Sequence, residues 1–302
     1  MRGGDRAVND YLVRIITKNA NVRALSCVTT ELVREACERH KTSPTASAAL
    51  GRVLTGAALM GALLKTRQRI VIRFDSDGPL KKVIAEATSS GEVRGYVAEP
   101  YTDLPLKDGK LDVAGAIGKS GTLTVIKDLG LKEPYTGTVR IYTGEVAEDL
   151  AYYFTESEQI PSAVGLGVYI ERDGQVSASG GFLIQSFPPR NPEVIDNVIS
   201  RIEKMPNLAE LLRDGKKPEQ LLADIFSNIA YEVLEKRELA FKCSCSKERV
   251  EQALLSLGKE EVEKLIREQG GAEAKCEFCG QVYSFDQSEL EEILQQLELP
   301  RH

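Results

Sequence analysis

Through the first half of the chain the apolar positions recur mostly at the short period of strands. Residues 10–18 and 21–29 carry β-branched and other apolar side chains in partial alternation, and Asn19 and Ala20 separate them, which predicts two strands. Helix is expected next. Thr29 or Thr30 can cap a helix over 31–41, and Ser43-Pro44 opens a second over 45–64, whose many Ala and Gly residues permit close packing. From Arg69 the pattern returns to strands and turns, with strands at 70–74, 80–87, 93–98, 121–127 and 137–143 and a helix over 146–157. Residues 164–171 and 175–185 flank Arg172, Asp173 and Gly174 as a hairpin, where the strand part of the chain is expected to end.

Pro188, Pro189 and Pro192 mark a boundary, because proline stops strand pairing and biases the residue before it away from helix. Beyond it the period changes to 3.6. Val194, Ile195, Val198, Ile202 and Met205 line one helix face, and Leu221, Leu222, Ile225, Phe226 and Ile229 line another after Pro218. This apolar surface must pack on something, either the preceding domain or a partner. The last section carries three short helices. The first is capped by Ser246 and ends at Gly258, the second ends at Gly270 and Gly271, and the third opens on a capping box of Ser288 and Glu291. The fold expected is α+β: an N-terminal mixed sheet-and-helix domain over 1–187, a helical linker over 188–230 and a small C-terminal domain over 231–302 whose two close cysteine pairs, Cys243/Cys245 and Cys276/Cys279, are spaced to bind zinc. There is no internal repeat and no low-complexity run.

Composition supports a soluble globular chain, at 42% hydrophobic and 28% charged residues. The first apolar run, 11–16, is short and interrupted by Arg14, so no secretory signal is read there. The longest run, 56–64, is less than half the roughly 20 residues that a bilayer span needs and reads as a buried helix of a cytoplasmic protein, with no membrane partner. In that compartment six cysteines are thiols, ligands or redox groups before they are structural disulfides. Cys27 and Cys37 sit among apolar neighbours as small buried hydrophobes. The only histidines are His40, at a helix end, and His302, which leaves little room for a Ser-His or Cys-His mechanism.

Cys243-Ser244-Cys245 and Cys276-Glu277-Phe278-Cys279 form two close pairs on two separate turns. Four thiolates at about 2.3 Å complete a tetrahedron around zinc, with iron the competing ion. Gly280 can take the positive φ that turns backbone N–H groups toward the sulfurs. Sulfur in all four positions leaves none for water or substrate, so hydrolytic chemistry is not expected. The tail has few large apolar side chains, so its folding should lean on the ion. Thiolates are also what oxidants attack.

Two other classes compete with a metal-dependent switch. A nucleic-acid-binding zinc module is opposed by charge: residues 232–302 hold 16 acidic and 10 basic residues, a balance of −6 that is the whole net charge of the chain. A thiol-disulfide oxidoreductase using Cys276 and Cys279 lacks the strand-to-helix setting of a thioredoxin-like site. No Walker motif is present, and Gly165 and Gly167 lack the third glycine of a dinucleotide loop.

The cysteine arrangement, with residues 42–52 (TSPTASAALGR) and 180–185 (GGFLIQ), resembles the redox-regulated 33-kDa chaperonin family, heat shock protein 33, over the full chain. The resemblance implies an ATP-independent holdase and no enzyme, inactive while reduced and holding one zinc per chain through Cys243, Cys245, Cys276 and Cys279. It implies redox-active disulfides Cys243–Cys245 and Cys276–Cys279 on oxidation, with loss of zinc and unfolding of switch and linker. It also implies that oxidised subunits pair as homodimers and that unfolded or aggregation-prone client proteins are bound, with no nucleic-acid partner.

Overall fold

The computed structural model describes residues 9–298, so His302 lies outside the described residues. The Cα packing divides the chain into two compact units that meet at Lys242 and Cys243.

The first unit opens with β1 (Tyr11–Thr17) and β2 (Val22–Val28), then α1 (Thr30–His40) and α2 (Pro44–Gly61). It continues through β3 (Arg69–Ser76), β4 (Lys82–Thr88), β5 (Glu92–Val97), α3 (Val113–Ile117), β6 (Gly121–Asp128), β7 (Tyr135–Arg140) and α4 (Val146–Glu156). The hairpin of β8 (Ser162–Ile170) and β9 (Val176–Ser186) follows, then α5 (Pro192–Glu203), α6 (Leu208–Arg213), α7 (Pro218–Ile225), β10 (Tyr231–Glu238) and β11 (Ala240–Phe241).

These strands make two sheets, ordered β10-β1-β2-β9-β8 and β11-β5-β4-β3-β6-β7. Helix α2 lies between them, in contact with β3, β4 and β5 of one and β2, β8 and β9 of the other. Every α2 residue from Thr45 to Gly61 except Arg52 is buried, as expected of a helix apolar on all sides. Its small residues let it fit: a Cβ on Gly51 would stand 2.7 Å from a Val33 methyl and 2.9 Å from one of Val168.

The five-stranded sheet is apolar on both faces. Leu12 and Leu25 are fully buried, while Tyr11, Val13, Ile15, Val22, Ala24, Phe182 and Ile184 form a second layer with Val198, Leu221, Leu222, Ile225 and Phe226. The apolar stripes of α5 and α7 are therefore covered by the first unit's own sheet. A polar latch reinforces α7: Tyr11 Oη donates to Glu219 Oε2 at 2.7 Å, and Lys236 of β10 reaches the same carboxylate at 3.1 Å.

The linker holds three helices, the short α6 being the additional one. Strands do not end at β9. β10 pairs antiparallel with β1, and β11 runs parallel to β5. Residues 231–242 thus group with the first unit, whereas the sequence pattern places the start of the C-terminal section at Tyr231. β10 escapes sequence reading because it is an edge strand, charged and mostly exposed, with Val233 at 59% exposure. Helix α1 is also capped differently from expectation. Thr29 Oγ1 is engaged with Thr55 and Ser179, and Asp10 Oδ2 accepts from the Leu32 N–H at 2.7 Å.

The second unit contains α8 (Lys247–Leu257), α9 (Lys259–Gln269), the hairpin β12 (Gly271–Lys275) and β13 (Val282–Asp286), and α10 (Gln287–Glu298). Leu254, Val262, Phe285, Leu290 and Ile293 form its buried core, small for a unit of this length. Ser246 Oγ caps α8, accepting from the Arg249 N–H at 3.3 Å. The capping box of α10 uses Asp286 and Glu289: the Glu289 N–H donates to Asp286 Oδ1 at 2.9 Å and the Asp286 N–H to Glu289 Oε2 at 3.0 Å. Ser288 instead donates to Asp286 Oδ1.

Candidate metal centre

Cys243 and Cys245 lie on the segment leading into α8, and Cys276 and Cys279 on the turn that joins β12 to β13. That turn is tight because Gly280 takes a φ of +73°. Its N–H donates to the Cys276 carbonyl at 2.8 Å, and the Cys276 N–H donates to the Gln281 carbonyl at 2.9 Å. The same geometry aims the N–H groups of Cys279 and Phe278 at the Cys276 sulfur and that of Gln281 at the Cys279 sulfur.

All four sulfurs lie within 4.8 Å of one another. Cys243 Sγ is 3.7 Å from Cys276 Sγ, and Cys245 Sγ is 3.3 Å from Cys279 Sγ. A tetrahedron with metal–sulfur bonds of about 2.3 Å has edges of about 3.8 Å, so the group has the size such an ion requires. Both of these short approaches join one cysteine pair to the other. Cys279 is buried; the other three are partly so. Tyr283 Oη, on β13, donates to Cys245 Sγ at 3.1 Å, and Arg249 Nη1 donates to Ser244 Oγ at 2.8 Å, tying the first knuckle to α8.

Electrostatics make this a cation site. Burial, then the neighbouring sulfurs, push the Cys279 thiol up against the pull of the Gln281 N–H. Burial raises Cys276 as well. Four thiolates this close repel one another, and a divalent cation at their centre reverses the cost. The donor set, soft sulfur in all four positions, fits zinc or iron.

The other sequence candidates stay apart from the centre. Cys27 and Cys37 are buried in β2 and α1, where loss of hydration raises both thiols. His40 ends α1. Tyr283 is the site residue that motif spacing does not reveal, because its position depends on the hairpin register pairing it with Ala274.

Fold and site define an α+β protein whose second unit is built around a closed four-cysteine cluster able to hold a metal ion. The profile of the family described as "Hsp33 protein" matches residues 10–286. The chain is 61% identical to the 33 kDa chaperonin of Geobacter sulfurreducens over 289 residues, covering 96% of each. It is 45% identical to that of Geobacillus kaustophilus, covering 95% of this chain and 98% of the relative. Among solved structures, the 33 kDa chaperonin (heat shock protein 33 homologue) of Thermotoga maritima superposes with a TM-score of 0.88 at 40% identity, covering 95% of this chain and 98% of that one. The chain belongs to the Hsp33 family. It is thus a chaperonin of that family and not an enzyme, and among the described residues no helix is long and apolar enough to cross a membrane.

Proposed function

We propose that this protein is a redox-regulated, ATP-independent holdase of the cytoplasm that binds unfolding client proteins under oxidative stress. The observation that carries the reading is the convergence of four cysteine sulfurs within 4.8 Å in a unit with a small core. In the reduced state Cys243, Cys245, Cys276 and Cys279 hold one zinc, and the second unit depends on that ion for its fold. Zinc supplies no catalysis at a closed site; it neutralises the thiolates and fixes the two knuckles.

Oxidation pairs Cys243 with Cys245 and Cys276 with Cys279. Each pair gives up two electrons to the oxidant, one S–S bond forms, and the ligands are withdrawn from the ion. The three-part division then acquires a function. The metal-dependent unit from Cys243 onward unfolds first, β10 and β11 over 231–242 and the linker over 188–230 follow, and the domain over 1–187 remains as the platform. Cys243 directly follows Lys242, whose N–H donates to Val93 at the end of the two-residue β11 pairing, so disorder beyond Cys243 meets little resistance there. Release of α5 and α7 would bare Tyr11, Val13, Ile15, Phe182 and Ile184, an apolar surface suited to unfolded chains. Oxidised subunits pair as homodimers.

The test follows zinc content, free thiols and far-ultraviolet circular dichroism in one sample during peroxide or hypochlorite treatment with warming, alongside aggregation of a denatured client. Zinc release, loss of helix and gain of aggregation suppression are expected together. Zinc retention, or release without any gain in suppression, would rule the reading out.

A further inference from the structure

β8 closes one side of its sheet and, among the described residues, pairs only with β9. Ladder parity shows which of its backbone groups face outward. The Thr29 N–H donates to the Ser179 carbonyl at 2.8 Å and the Phe187 N–H to the Asn21 carbonyl at 2.9 Å, so the odd-numbered residues of β9 bond toward β2. Its even-numbered residues bond toward β8, where Ala178, Gly180, Phe182 and Ile184 stand opposite Tyr169, Gly167, Gly165 and Ala163. The N–H and C=O groups of Val164, Leu166 and Val168 therefore point away from the sheet, repeating about every 6.8 Å. None of them has a hydrogen-bond partner among the described residues.

A cavity of about 1040 Å³ opens along this edge from Leu166 to Arg172, walled by the loop over 103–111 and the first turn of α6. Leu104, Leu106, Leu111 and Leu208 make its walls apolar, and Leu106 is 64% exposed. Its charges are mixed: Arg52 pairs with Glu145 at 2.5 Å, and Lys110 and Arg172 share the rim with Asp108 and Glu171. Neither a polyanion nor a polycation is favoured there. Unpaired strand donors and acceptors beside apolar walls are what an extended main chain with apolar side chains completes.

We infer that this groove binds an extended apolar segment of an unfolded polypeptide, adding it as a further strand beside β8. The inference rests on the holdase reading and supplies a way of holding clients without sequence preference, since main-chain bonds are common to every residue. It also connects the groove to the linker. The Ala209 backbone N–H lies 2.9 Å from where a Cβ on Gly167 would stand, so departure of α6 removes one wall and widens the groove.

The probe is a short fluorescein-labelled peptide of alternating valine and threonine, compared with the same peptide N-methylated throughout, on oxidised, zinc-free, full-length protein. N-methylation deletes the strand's donors while adding apolar surface, so affinity should fall by at least about tenfold, or about 1.4 kcal/mol. Equal or tighter binding of the methylated peptide would sink the inference. Leu106→Asp, at an exposed position that keeps the fold, should weaken the unmodified peptide several-fold; unchanged affinity would place the peptide elsewhere and overturn the assignment. So would a β8-mediated dimer, seen by sedimentation, that excludes the peptide. Aggregation suppression is measured on the same preparations: suppression without N-methyl discrimination rejects the groove alone, whereas no suppression in either redox state rejects the holdase reading.

Discussion

Tyr283 donates its hydroxyl hydrogen to Cys245 Sγ across 3.1 Å, joining the β12–β13 hairpin to a sulfur of the opposite cysteine pair. The bond, with some loss of hydration, pushes the phenol up to about 12. It also fixes the orientation of one of the four clustered sulfurs that could hold a metal ion. Tyr283→Phe removes it and leaves the ring in place, so zinc affinity of the reduced protein should drop roughly tenfold, as for other groups that orient ligands. Competition against a chromogenic chelator checks this, and an unchanged affinity would show that the hydroxyl does not support the centre.

Metal removal should unfold one unit and spare the other. A strong chelator under reducing conditions is expected to abolish the helical signal of α8, α9 and α10, because the core of Leu254, Val262, Phe285, Leu290 and Ile293 is too small to hold them alone. The first unit, with its own sheet-helix-sheet core, should keep a cooperative thermal transition. Cys279→Ser should reproduce the chelated state and bind less than one zinc per chain. A chelated second unit that keeps its amide protection would contradict this.

The linker should be released by packing defects alone. Leu222 is 1% exposed in the layer between α7 and the five-stranded sheet. Leu222→Ala leaves a cavity that costs about 3 kcal/mol, charged against the docking of α5 and α7. The reduced, zinc-loaded variant should bind more of a hydrophobic dye and suppress client aggregation without oxidant. Dye binding equal to the parent would mean that linker docking draws its strength from elsewhere.

Asp10 should make the first unit sensitive to pH. Burial pushes its carboxyl from 3.8 to about 7, over the opposing pull of the Leu32, Glu31 and Thr30 N–H groups and with the Glu31 charge adding to the rise. Its Oδ1 is buried with no hydrogen-bond partner among the described residues. The folded chain holds a proton that the unfolded chain releases above about pH 4, so this stabilisation is complete at low pH and is lost as pH rises to about 7. Asp10→Asn keeps an acceptor for Leu32 but cannot titrate. Urea midpoints between about pH 4.5 and 7.5 should fall with pH in the parent less the slope seen in the variant; parallel slopes would remove Asp10 from the titration.

Much of this molecule was legible from local chemistry. The sulfurs announce themselves because a ligand pair needs only a short turn, and Gly280 supplies its positive φ. β1 and β2 were legible through alternation, and α2 through its small residues. The strand β10 was not, since an exposed edge strand carries charge where a buried one carries Val or Ile, and only pairing with β1 makes it a strand. The capping box was displaced by two residues because Ser288 and Asp286 both offer an oxygen with a glutamate three positions on, and the hairpin register that ends β13 at Asp286 selects between them.

Sequence by itself determined the period of each main element, the four-sulfur donor set and the presence of an apolar linker, all properties of residues near one another in the chain. Tertiary structure alone decided that the linker is covered by its own sheet, that Asp10 rather than Thr29 caps α1, that Tyr283 meets Cys245, and that β8 is left with an open edge. The first three are contacts between distant segments and the last is what such contacts leave uncovered, and these contacts are set by which faces remain to be buried once the local elements have formed.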